Sequence, residues 1–333
     1  MEPPISKEPT PPSRRTLPFA GWWPAVVGAL FGIGLRLVYS GAPNGLYAAM
    51  DGSFIYFTPM VVGATTVYFA ERRGRRTVGN HVAAAALANV LFVAGTMAIL
   101  IEGLICAIVI LPLFVILGVF GALLMSGVCR ITHWPGPMVS TLVLLPVLLG
   151  GVESGTALPD SRESVERTAV VSAPPAVVWR ELLNTSGIRA DEVEHAWLYR
   201  IGVPMPLDGQ LVAGAAHPTR RVHMGKNVYF DEVIQEQRPE EWIRWTYRFY
   251  PDSFPPYAFD EHVVIGGRYF DVLDTSYRLA PTAAGTAVTM TLRYRVSTRF
   301  NWYALPVSRW LLADLVDSNL NYYRQRSERA ATD

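Results

Sequence analysis

Five apolar stretches crowd into residues 20–152, and nothing of the kind follows them. A bilayer core of ~30 Å is crossed by about 20 apolar residues in a helix, and residues 20–39, 54–70, 81–101 and 104–128 meet or approach that length. The fifth stretch, 138–152, is shorter and carries Pro146; it crosses a thinned bilayer, draws on residues 131–137, or lies re-entrant. In hydrocarbon each segment must satisfy its own backbone hydrogen bonds, so the first half is expected to be a helical bundle of about five spans. Only 17% of the 333 residues are charged, against roughly 25% in soluble domains. The charges are concentrated from Glu153 onward.

Composition therefore divides the chain into a cytoplasmic disordered tail over 1–17, a transmembrane region over 18–152, a linker over 153–166, a water-soluble domain over 167–329 and a short tail over 330–333. The tail holds Pro3, Pro4, Pro9, Pro11 and Pro12 and ends in no small-residue cleavage site, so the first span is expected to stay as a signal anchor. A net charge of +1 argues against a nucleic-acid partner.

Orientation follows from Lys and Arg in the short loops. Lys7, Arg14 and Arg15 precede the first span, Arg72, Arg73, Arg75 and Arg76 follow the second, and Arg130 follows the fourth, whereas residues 41–53 and 102–103 carry none. Five spans with that side cytoplasmic put the carboxy-terminal domain outside, in a bacterial inner membrane; four spans would leave it in the cytoplasm.

Within the apolar region Arg36 and Glu102 fall at the same end of their spans, and charge at membrane depth is usually paired or functional. One expectation is an Arg36–Glu102 pair with Asp51 in reach; the other is that each snorkels to the interface. Gly28 and Gly32 have the spacing that lets helices approach closely. Cys106 and Cys129 lie in one span, roughly 34 Å apart along a helix, too far for a disulfide.

From residue 167 the pattern becomes alternating. Residues 168–173 read as a strand, stopped by Pro174 and Pro175, with Pro175 suited to the first turn of a helix. In 241–250 Ile243, Trp245, Tyr247 and Phe249 share one face; in 287–296 Val288, Met290, Leu292, Tyr294 and Val296 do so. Runs 220–225, 227–237 and 269–279 complete about six strands. A closing helix over about 305–327 has Leu312, Leu315, Val316, Leu320 and Tyr323 on one side. The order predicts an α+β domain, a curved antiparallel sheet gripped by a long final helix.

The run Val-Val-Ser-Ala-Pro-Pro-Ala-Val-Val-Trp at 170–179, Tyr-Arg-Leu-Ala-Pro at 277–281 before Gly-Thr-Ala-Val-Thr at 285–289, and the helix ending Tyr-Arg-Gln-Arg-Ser-Glu at 323–328 carry a resemblance. Over residues 167–329 the chain resembles the START-like superfamily, also called SRPBCC, polyketide cyclase/dehydrase-like or Bet-v-1-type. With Glu-Gly-Leu-Ile-Cys at 102–106 and Pro112, its first half resembles that of bacterial membrane proteins joining such spans to such a domain. The resemblance implies a helix-grip fold whose cavity takes an apolar ligand, and it leaves function open.

If the alternating faces point inward, Trp245, Tyr247, Met290, Leu292 and Tyr294 line that cavity, with Leu312, Leu315 and Val316 above; the alternative is a solid core of the same residues. His195, Arg220 and His223 are candidates for a polar mouth, while Asp231, Asp271 and Arg293 form a functional Arg–carboxylate site if buried and solvated cross-strand pairs if on the convex face. The proline-rich aromatic segments 197–207 and 249–259 read as loops that dip toward lipid headgroups or cap the mouth. No nucleophile elbow, phosphate-binding loop or metal-ligand spacing occurs, so no catalytic residue, metal or cofactor is expected. The expected partners are the bilayer and a lipid or other apolar molecule, for transfer or sensing. A cyclase- or dehydrase-type enzyme needs an acid or base in the same cavity, and an assembly module needs the cavity filled.

Overall fold

The structure, a computed structural model, describes residues 21–41, 46–72, 74, 76–132, 136–153, 156–193, 195–213, 217–256, 258 and 262–332. The tail 1–17 with Lys7, Arg14 and Arg15, and also Arg73, Arg75, Tyr257 and Phe259, lie outside the described residues.

The apolar stretches form α1 (Trp23–Val38), a π-helical turn (Ser53–Phe57) running into α2 (Thr58–Glu71), α3 (Val78–Ala98), α4 (Leu104–Thr132) and α5 (Gly136–Glu153). Among the described residues three helical segments are long and apolar enough to cross a membrane: Ser53–Glu71, Val78–Ala98 and Leu104–Thr132. That is fewer than the five spans expected. α1 has 16 residues, and α5 is an 18-residue apolar helix with Pro146 inside it.

Small residues set the spacing of the bundle. A Cβ on Gly28 would lie 2.1 Å from Thr66 Oγ1, and one on Gly32 2.7 Å from Phe92, so α1 rests directly on α2 and α3. Gly63 and Gly121 bring α2 equally close to α4, where added Cβ atoms would meet the Gly118 and Met60 carbonyls. Of these three segments the one containing α2 is the most enclosed, while α4 turns Ile116, Phe120 and Leu124 outward. Exposed apolar side chains of that number suit a lipid solvent.

The second half is one antiparallel sheet of seven strands in the order β1-β7-β6-β5-β4-β3-β2: β1 (Ser161–Val171), β2 (Pro206–Leu211), β3 (Thr219–Met224), β4 (Tyr229–Arg238), β5 (Trp242–Arg248), β6 (Phe270–Thr282) and β7 (Gly285–Val296). It curls into a half-barrel. Between β1 and β2 lie α6 (Pro175–Leu183), opened by Pro175 as expected, and the short α7 (Ala190–Val193) and α8 (Trp197–Arg200). α9 (Asn301–Thr332) spans 32 residues, about 48 Å, and packs along β1 and β7.

β1 begins at Ser161, within the segment read as a linker, and β2 adds a strand to the six expected. Part of segment 197–207, read as a loop, is α8 and the start of β2.

The two halves share buried surface. Phe300, just before α9, belongs to the apolar cluster of Phe54, Phe92 and Phe114 in the bundle. The Tyr303 hydroxyl donates to the Val109 carbonyl at 2.6 Å, and Ile105 packs with Ile201 and Leu311. Glu153, the last residue of α5, accepts from the Gly52 and Ser53 amides at 2.8 Å each and pairs with Arg299 at 2.6 Å. One carboxylate thus caps the start of the π-helical turn and fastens it to the segment leading into α9.

Candidate functional site

A cavity of about 340 Å³ lies between the concave face of the sheet, α9 and the near end of the bundle. Pairing explains which side chains reach it. Ile234, Trp245, Thr275, Leu292 and Val165 stand opposite one another on β4, β5, β6, β7 and β1, forming a row across the sheet whose three central members line the cavity. A neighbouring row runs Arg220, Glu232, Tyr247 across β3, β4 and β5. Period-two alternation sends both rows to one face, and α9 covers it with Leu311, Leu312, Leu315, Tyr322 and Tyr323.

The domain end of the cavity is polar. Arg220 Nη1 donates to Glu232 Oε2 at 2.5 Å and Nη2 to Thr185 Oγ1 at 3.3 Å, while the guanidinium carbon sits 5.9 Å from the centre of the Trp245 ring. Both partners are buried. Gly209 on β2 makes room for this group: a Cβ there would lie 2.2 Å from Arg220 Nη2. Burial pushes the Glu232 carboxyl above its ordinary range, and Arg220 opposes that only in part. For Arg220 burial favours loss of the proton, but the attraction of Glu232 outweighs it, so the guanidinium stays charged.

Four tyrosines complete this end. The Tyr247 hydroxyl is 2.6 Å from Thr275 Oγ1. Burial raises the hydroxyls of Tyr199, Tyr247, Tyr277 and Tyr323 above the usual phenol value, so all are neutral hydrogen-bonding groups.

The other end is built by the bundle. Phe54, Phe92, Thr96, Cys106, Ile110 and Phe114 line it, with Arg36 and Glu102 beside them. Arg36 Nε is 2.5 Å from Glu102 Oε1, and Nη1 donates to the Tyr39 carbonyl at 2.7 Å. The two residues pair rather than snorkel separately. Asp51 does not join them and accepts instead from the Ala48 amide at 3.0 Å.

Of the residues expected to line a cavity, Trp245, Tyr247, Met290, Leu292, Leu312 and Leu315 do so. Tyr294 and Val316 are fully buried in the apolar core behind it and are not among the lining residues. The expected polar mouth of His195, Arg220 and His223 is not assembled. His195 is exposed, His223 is exposed and meets Asp208 at 2.7 Å, and Arg220 is sealed inside.

Asp231 pairs with Arg221 and receives the Tyr250 hydroxyl, and Arg293 pairs with Asp274, all away from the cavity. Asp271 accepts from the Gly266 amide. In the aromatic segment Phe249 packs on Phe254, Phe230 and Tyr247, whereas Trp197 is partly exposed beside Trp310. Among the described residues no group of three or more His, Cys, Asp or Glu could hold a metal ion. Neither cysteine is in a disulfide.

Sequence reasoning missed Glu232, Thr275, Tyr277, Tyr323 and every bundle residue except Arg36 and Glu102. Glu232 directly opposes Arg220 in the β3–β4 pair, so placing the hairpin register would have found it. Nothing local marks the bundle residues as cavity walls.

No protein-family model matches the sequence, and no curated protein is detectably similar to it. Solved structures similar to the chain include TTHA0849 from Thermus thermophilus, at 22% identity over 52% of this chain and 99% of that one, with a TM-score of 0.31. They also include the ZhuI aromatase/cyclase from Streptomyces sp. R1128, at 17% identity over 51% of this chain and 95% of that one, TM-score 0.30. A third is the di-domain aromatase/cyclase StfQ of the steffimycin biosynthetic pathway, at 12% over 60% and 62%, TM-score 0.33. Likenesses this distant carry no functional argument; the helix-grip reading rests on the sheet order and on α9.

Proposed function

We propose that the chain is a membrane-held, START-like helix-grip domain that takes up a lipid or other apolar small molecule in its interior, for transfer or sensing at the membrane. The observation that carries this reading is the cavity of about 340 Å³. Its apolar walls and few convergent hydroxyls fit the usual character of small-molecule sites.

Three helices of spanning length and an exposed apolar belt support placement in a bilayer. The domain packs on the end of the bundle opposite Arg72, Arg76 and Arg130, because α2 and α4 begin at the domain and end at those residues. α5 brings the chain back, since its last residue binds the amides of Gly52 and Ser53. If the basic end is cytoplasmic, the domain is extracytoplasmic.

The test is recovery of apolar molecules from the detergent-purified full chain by mass spectrometry. A near-stoichiometric species is expected from the native protein, and at least tenfold less from Leu292→Trp, which fills the cavity from β7. Absence of any bound species in the native protein sinks the reading.

One observation favours a second reading, a cyclase- or dehydrase-type enzyme: the buried Glu232 carboxyl lines the cavity with its proton affinity raised. Glu232→Gln separates the two. A binding site keeps its ligand within a few-fold, whereas an enzyme using Glu232 for proton transfer loses turnover while still binding.

A further inference from the structure

We infer that the helical bundle forms half of the binding site, and that the occupant is an elongated, uncharged amphiphile lying between the Phe54–Phe92–Ile110 end and the tyrosine end; this rests on the binding reading above. A domain merely tethered to a membrane would close its cavity with its own loops. Here the cavity continues past α9 and the loop holding Val203 into the bundle, and its far wall is made of side chains from the π-helical turn, α3 and α4. The apolar clusters beside it contain residues from both halves, Phe300 with Phe54 and Leu311 with Ile105, so the wall is built in and not a chance contact.

The chemistry of the occupant follows from the charges. The ion pairs in the lining, Arg220–Glu232 and Arg36–Glu102, are matched internally at 2.5 Å each, and Asp208 is matched by His223. A charged headgroup would need a counter-charge, the arginines and carboxylates of the lining already engage one another or His223, and displacing one partner of a buried pair is costly. Hydroxyls remain available: Tyr322 is 4% exposed, its hydroxyl has no hydrogen-bond partner, and it lines the cavity. An alcohol or carbonyl head can bond there, with its hydrocarbon extending toward Ile110.

The experiment uses the full chain in phosphatidylcholine nanodiscs with a hexadecanol carrying a diazirine and an alkyne, and maps adducts by peptide mass spectrometry. Expected are adducts both on the sheet, at Met290 or Leu292, and on the cavity side of the bundle, at Phe92 or Ile110. Ile110→Trp should cut the sheet adducts at least fivefold while leaving those on the lipid-facing Ile116 unchanged. Should that variant not assemble, Cys106→Trp fills the same end, and the native adduct map decides by itself.

Adducts on the sheet alone, unaffected by filling the bundle end, overturn the shared site and leave the binding reading standing. Adducts on lipid-facing residues alone overturn both. Equal labelling by the matching hexadecanoic acid probe overturns the assignment of an uncharged head.

Discussion

Arg36 and Glu102 meet at 2.5 Å between the end of α1 and the turn before α4, and both side chains are largely shielded. The contact closes the bundle where the cavity enters it. Removing one member leaves the other charge without its partner in an apolar setting. Arg36→Leu or Glu102→Leu should each lower stability by roughly 3–5 kcal/mol, read as a fall in Tm in detergent. The double replacement should recover most of the loss; if it is as unstable as the singles, the pair is not the cause.

Gly209 is a position where one methyl group reaches the site. An alanine Cβ would fall 2.2 Å from the Arg220 guanidinium, which Glu232 and Thr185 hold in place. Gly209→Ala should cost about 1–3 kcal/mol by overpacking and weaken ligand retention. Gly187, whose added Cβ meets nothing but whose φ is +57°, serves as a control for backbone strain without crowding.

Glu192 should make stability fall in acid. Its carboxylate joins α7 to α9 through Arg326 at 2.7 Å and Arg329 at 3.0 Å. Burial works against its charge, but the Arg326 hydrogen bond, the Arg189 amide and Arg329 outweigh that and pull it from 4.5 to about 2. A depressed carboxylate stabilises the fold above its unfolded value, and that contribution disappears as pH falls from 4.5 toward 2. The loss is at most about 3 kcal/mol. Thermal unfolding between pH 6 and pH 3 checks it: Glu192→Gln should start lower and show a flatter pH dependence.

Orientation is read with Asp252→Cys in a background where Cys106 and Cys129 are replaced by serine. Asp252 is exposed on the loop after β5. In intact cells an impermeant thiol reagent should label it fully; protection until the cells are lysed would place the domain on the other side.

The strands with strict alternation were legible in the sequence, because β5 and β7 each bury one clean face of apolar residues: Ile243 and Trp245, and Val288 to Val296. β2 was not. It is an edge strand that starts on Pro206 and contains Asp208 and Gly209, so it has no apolar rhythm to read. In β4 five consecutive residues, 230–234, are buried ahead of a register shift. Period two therefore could not say whether Asp231 or Glu232 faces inward. The bundle's part in the cavity depends on Phe300 joining the apolar cluster of Phe54, Phe92 and Phe114, far apart in sequence, and no local pattern encodes packing of that range.

Because Phe300 and Tyr303 are seated among bundle side chains, the compositional border at Glu153 is not a place where the molecule can be cut cleanly. Excision of the sheet and α9 as a soluble fragment would bare Phe300, Ile201 and Leu311 to water and leave the cavity open at one end. Such a fragment is expected to associate through that face. Dividing the polypeptide there would also remove the wall that Phe92, Ile110 and Phe114 give the cavity.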